Sequence, residues 1–243
     1  MIKFFRKIRQ NLLMENKTGK YIKYAIGEII LVVIGILIAL QINIWNEDRK
    51  SNEKATILIK NIIDDLSSDI WHMNQALIEL KEQLGIVDSL IAKSMDSSKS
   101  INYDNMGLLR YSSDFRPKSQ RNHTAAVNNL ENESIRKVLQ DYFIKEDQVV
   151  DIFMEYEKIL HNEIRPYLRE SGMHNLNSLY LKEDTLKVPM MLKPKILDKR
   201  LEDVIFQQLL YERRLKTKTF LKLLNELKME NQELIKILKS ENK

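Results

Sequence analysis

The chain has 243 residues, rich in charge and poor in glycine and proline, a balance that favours long helices over a sheet with many turns. It has no cysteine, which excludes disulfides, thiolate catalysis and zinc–thiolate sites. The net charge of +5 is not the footprint of a nucleic-acid binder: Lys3, Arg6, Lys7, Arg9, Lys17, Lys20 and Lys23 against Glu15 place +6 on residues 1–24 and leave −1 on the rest.

Residues 1–23 read as a basic amphipathic segment. Ile2, Phe4, Phe5, Ile8, Leu12 and Leu13 alternate with the cations, a pattern suited to an anionic lipid surface or to a plain topogenic flank. Residues 24–45 read as a transmembrane helix. No polar side chain occurs from Ile29 to Leu40. The 21 steps from Tyr24 to Trp45 at 1.5 Å each give about 31 Å, the hydrocarbon thickness of a bilayer. Tyr24 and Trp45 stand at the two ends, where aromatic rings favour the headgroup layer. No small-x-small cleavage site follows Ala39-Leu40-Gln41-Ile42-Asn43, so the segment reads as an uncleaved signal anchor.

Seven Lys and Arg precede the span, against Arg49, Lys50, Lys54 and Lys60 just after it. The richer side stays cytoplasmic, so residues 46–243 are expected outside, in the periplasm of a bacterium with two membranes. Glu28 lies about one turn inside the cytoplasmic edge, where it can snorkel, bond Tyr24 or meet a basic group on a partner helix. Gly35 and Ala39 form a small-xxx-small pair of the kind that supports helix pairing.

These residues carry a resemblance. Gly19-Lys20-Tyr21, Ile26-Gly27-Glu28-Ile29 and Gln41-Ile42-Asn43-Ile44-Trp45-Asn46, within residues 3–50, resemble the opening of a family of uncharacterised bacterial single-pass membrane proteins, a domain of unknown function. Ile44 replaces a second Asn that most relatives have. Thr124-Ala125-Ala126 through Leu139, with Tyr142-Phe143, resemble a later family segment more weakly, with Asn132-Glu133-Ser134 where a Ser-Gly pair is usual. The resemblance implies a single-pass, mostly helical protein and supplies no activity, cofactor or site. Glu28 and its apolar run are also similar to the assembly helix of type IV pilins, but position 23 is Lys where those proteins carry the processing glycine.

Beyond the span, the spacing predicts a helix over Asn46–Met95. Ile59, Ile62, Leu66, Ile70, Met73, Leu77, Leu80, Leu84, Val87 and Ile91 advance by threes and fours. The stripe suits one edge of an intrachain bundle, or a dimeric coiled coil. Lys93–Asn105 reads as a loop, Met106–Tyr111 as a short helix ended by Phe115-Arg116-Pro117, and Gln120–Leu130 as another helix. Asn132 or Ser134 caps the next helix, which runs to about Arg165-Pro166 or shortly after, with Gly172 as its stop. Met173–Pro194 is irregular, with Asn175–Leu181 and Leu186–Met191 as short strands or extended loop. The last helix is expected over Asp198–Ser240, with Leu201, Val204, Ile205, Leu209, Leu215, Phe220, Leu223, Leu227, Leu234 and Leu238 in its seam and Asn231 interrupting it. The expected architecture is all-α: one N-terminal transmembrane helix continuing into an elongated antiparallel helical bundle.

No catalytic constellation is legible. His72, His123, His161 and His174 lack a histidine at i+3 or i+4, and no Gly-rich phosphate loop or nucleophile elbow occurs. Asp64, Asp65 and Asp69 read as an exposed acidic face. Arg213, Arg214, Lys216, Lys218 and Lys222 read as a solvated basic run. No metal, cofactor or nucleic acid is expected. The expected partners are the lipid bilayer and either a second copy or another envelope protein. The chain reads as a non-enzymatic interaction module, with a ligand-binding sensor acting through a separate transducer as the alternative; some 24 cytoplasmic residues are too few for a signalling domain.

Overall fold

The computed structural model describes residues 18–180 and 190–241. Most of the basic segment and the stretch 181–189, where part of each expected strand falls, lie outside the described residues. The chain divides into two compact units, residues 1–57 and 58–243. Among the described residues the fold is all-α, and the single bridge His174–Leu192 is the only β pairing.

The first unit is the leading part of helix α1, Thr18–Met95. Every residue from Ile29 to Leu40 is solvent-exposed. Nothing lies within 4 Å of a Cβ built on Gly27 or Gly35.

In the second unit, α1 is joined by α2 (Lys118–Val127), α3 (Glu133–Ile159), α4 (Arg165–Glu170), α5 (Pro194–Arg200) and α6 (Val204–Glu241). The stripe on α1 is core: Ile62, Leu66, Met73, Leu77, Leu80 and Val87 are buried against elements of the same chain, as in an intrachain bundle. Residue pairs fix the directions. Asp69 meets Ser119 beside Glu146, and Gln83 meets Tyr156, so α1 and α3 run in the same sense. Tyr142 meets Asn231, Phe153 meets Phe220, and Asp88 meets Arg214, so α6 runs antiparallel to both.

Two parallel helices need a return segment between them, and residues 96–117 supply it. A 3-10 turn at Met106–Arg110 is followed by extended chain with a period of two: Ser113, Phe115 and Pro117 are buried while Asp114 and Arg116 are exposed. Gly107 makes this path feasible. A Cβ there would stand 2.8 Å from Met191 Sδ and 3.0 Å from Met191 Cβ.

Local chemistry sets the remaining boundaries. Asn132 caps α3 by accepting the Ile135 amide at 3.1 Å. Pro166 has no N–H to donate, and a π-helical segment, Leu160–Ile164, widens the turn before it so the chain stays helical into α4. Gly172, at φ 67°, closes α4: its amide bonds Arg169 O and the Met173 amide bonds Leu168 O, the two bonds of a Schellman stop. Residues 176–180 form a 3-10 turn rather than a strand. The last helix starts at Val204, not Asp198. Pro194–Arg200 is a separate helix, and Asp203 accepts the Ile205 amide at 2.9 Å to begin α6 anew. That restart turns Val204 and Ile205, expected in the seam, out to solvent.

Candidate functional site

The anchor residues lie on α1. Tyr24 falls within its helical backbone. Glu28 is partly exposed, while Gly35 and Ala39 are open. Trp45 is exposed, with the Arg49 guanidinium carbon 6.0 Å from its ring centroid. These residues share one helix that is long and apolar enough to cross a membrane.

The second unit holds polar chemistry that the sequence did not disclose. Asp69, read above as part of an exposed acidic face, is fully buried. The cause is the N-terminus of α2. Pro117 precedes that helix and has no capping side chain, so its first amides need an acceptor from elsewhere. Asp69 provides it, accepting Lys118 N at both oxygens, 3.0 Å each, and Ser119 N at 3.1 Å. Ser119 Oγ lies 3.1 Å from Asp69 Oδ2 and 2.7 Å from Glu146 Oε1. Tyr142 faces Glu146 one turn back on α3, and its hydroxyl accepts a 2.8 Å bond from Asn231 Nδ2. A continuous polar chain thus joins α1, α2, α3 and α6. Asn231, the polar interruption of the seam, is its far end.

Burial dominates the electrostatics of this chain. Burial first, with the Asp69 charge adding to it, pushes Glu146 up to about 8. Burial also raises Asp69, against the pull of the Ser119 and Lys118 amides. Tyr142 is raised by burial and by the neighbouring Glu146 charge.

Arg213 is a second departure from expectation. Read as part of a solvated run, it is 1% exposed. Its guanidinium donates to Leu109 O at 2.7 Å and to Leu108 O and Tyr111 O at 3.0 Å each, serving carbonyls of the return segment, of which Leu108 O also accepts the Tyr111 amide at the end of the 3-10 turn. Beside it, Tyr156 Oη donates to Gln83 Oε1 at 2.7 Å, and Gln83 Nε2 donates to Ser113 Oγ at 3.2 Å. Lys93, Tyr103 and Asp198 form a third group, with Lys93 Nζ 2.9 Å from Tyr103 Oη and 3.0 Å from Asp198 Oδ1.

Of the histidines, His123 lies 2.9 Å from Asp65 and His161 accepts from Arg165. Burial lowers the pKa of His174, with Arg110 and Arg169 contributing. Among the described residues no three metal-capable side chains gather. Period-3.6 spacing puts Asp69 on the buried stripe between Leu66 and Met73, Glu146 between Tyr142 and Val149, and Arg213 between Leu210 and Thr217, but it cannot supply their partners, which come from distant segments.

Among the described residues these features define an all-α fold with one candidate membrane span near the N-terminus and a helical unit tied together by buried polar groups. Residues 28–105 match a protein family of unknown function, DUF6090. The match runs from Glu28 through the end of α1 and into the return segment. It includes Asp69 and Gln83 and leaves Ser119, Glu146, Arg213 and Asn231 beyond it. No curated protein and no solved structure matches the chain.

Proposed function

We propose that the protein is a single-pass inner-membrane protein of a bacterium, N-terminus cytoplasmic, whose periplasmic helical unit binds another protein or a second copy of itself without catalysing a reaction. The observation that carries this reading is the run Ile29–Leu40, apolar at every position and exposed at every position. An apolar surface of that extent favours lipid over water. Interaction is supported by apolar side chains left on the surface of the second unit. Trp71 and Ile78 stand seven residues apart on one face of α1, 59% and 62% exposed.

The test is cross-linking in intact cells followed by purification of the full-length protein, with Trp71→Glu and Ile78→Glu beside the natural chain. The expected result is a stoichiometric cross-linked species, a dimer or a complex with one envelope protein, that both substitutions diminish. Recovery of the protein alone, or turnover of a defined substrate by the purified chain, contradicts the reading.

A ligand-sensing role has one observation in its favour. A groove of about 330 Å³ between α3 and α6 is lined by Val138, Tyr142, Leu234 and Ile237 together with Asp141 and Glu233. Thermal stabilisation of the full chain by a small molecule, lost on Leu234→Arg, would favour sensing over protein binding.

A further inference from the structure

Asp69 and Glu146 reach for the same hydroxyl. Ser119 Oγ is within hydrogen-bond distance of both carboxyl groups, and all three side chains are fully buried. A serine hydroxyl has a single proton and donates it to a single acceptor. With both carboxylates ionised, one of the two oxygen–oxygen contacts would hold no hydrogen, and two like charges would face each other away from water. One carboxyl must therefore bring a proton of its own. The partners decide which. Asp69 accepts two backbone amides at 3.0 and 3.1 Å, bonds that favour the anion. Glu146 Oε2 is buried without a hydrogen-bond partner, and burial there outweighs the pull of the Gln120 amide and the Tyr142 hydroxyl toward the anion, so the neutral acid is favoured. The order that satisfies every oxygen–oxygen contact is Glu146 donating to Ser119 Oγ and Ser119 donating to Asp69.

We propose that Asp69 and Glu146 hold one proton between them through Ser119, and that its loss releases the start of α2 from α1 and α3, giving the helical unit an alkaline-sensitive latch. The other groups around the pair do not replace the proton. From α1, Asp65 adds negative charge, with His123 Nε2 2.9 Å from it. From α2, the Lys118 ammonium is turned away to Ser68 Oγ at 2.9 Å, and the Gln120 amide faces Glu146. From α3 comes the Tyr142 hydroxyl, and from α6 Asn231 behind it, both neutral. Lys145 pairs with Glu230 at 2.6 Å, outside the chain of buried groups.

The raised pKa of Glu146, about 8, agrees with this order and fixes the sign. The folded state keeps a proton that the unfolded chain releases at the ordinary carboxylate value. Stability therefore falls as pH rises from that value through about 8 and levels off above it.

The experiment uses the full-length protein in lipid nanodiscs. Melting temperatures are measured across this range for the natural chain and for Glu146→Gln, whose amide can donate to Ser119 as the acid does. The expected result is a melting temperature that falls with pH in the natural chain and a distinctly shallower fall in the variant; equal slopes overturn the shared proton. Should Glu146→Gln fail to fold, infrared difference spectra of the natural chain decide the same point. A buried protonated-carboxyl band at neutral pH that vanishes as pH passes about 8 supports the proposal, and its absence at neutral pH overturns it. The latch is read by hydrogen exchange, corrected for intrinsic base catalysis. Exchange at Lys118, Ser119 and Gln120 should accelerate above that pH while the centre of α6 stays protected, and unchanged protection there overturns the release.

Discussion

The Arg213 guanidinium carbon lies 5.5 Å from the centroid of the Tyr156 ring, so a cation buried in the helical unit is covered by an aromatic face on α3. Its two Nη atoms meanwhile hold three carbonyls of the return segment. One side chain thus ties α6 to the stretch that lets α1 and α3 run parallel. Arg213→Ala removes the donors to the Leu109 and Tyr111 carbonyls, while Leu108 O keeps the Tyr111 amide, at a cost of about 3–5 kcal/mol by chemical denaturation. Arg213→Lys keeps the charge without the planar fork and should fall between the two. An Ala variant as stable as the natural chain would remove this role.

Three glycines separate three physical effects. Gly172→Ala forces a Cβ into left-handed backbone at the end of α4 and should cost about 1–2 kcal/mol. Gly107→Ala pushes a methyl into Met191 and should cost about 1–3 kcal/mol. Gly85, inside α1 with open space around it, should gain about 1 kcal/mol as Ala. Denaturant midpoints of the three variants check the order.

Asn231 and Tyr142 should behave as a coupled pair. Tyr142→Phe leaves the Asn231 amide without its acceptor, and Asn231→Leu leaves the tyrosine hydroxyl without its donor; each should cost about 1–3 kcal/mol. The double variant should cost less than the two together, since the Asn231–Tyr142 bond is lost only once. Strict additivity in the double-mutant cycle would show that the bond carries no coupling.

What was legible in the sequence follows from the range of the forces involved. The α1 stripe from Ile62 to Val87 and the cap at Asn132 are local patterns, and both were readable. The spacing starts the last helix six residues early because Leu201 and Ile205 keep a helical register across a break that Asp203 imposes by capping. The return segment carries no sequence mark of extended chain. Its buried residues, Ser113, Phe115 and Pro117, alternate with Asp114 and Arg116, and no β-branched run marks them. Asp69 and Arg213 read as surface residues because charge alone reads as solvated. Only the fold supplies the amides and carbonyls that make their burial affordable.

Membrane anchoring is tested most directly by the absence of cysteine, which makes any introduced thiol unique. Single substitutions Ile34→Cys and Ser97→Cys, in the full chain and in intact cells with the outer membrane permeabilised, are exposed to a membrane-impermeant maleimide. The account predicts labelling at position 97 and none at position 34 until the membrane is dissolved. Labelling at position 34 in the intact membrane, or protection at position 97 until the cells are lysed, would contradict it.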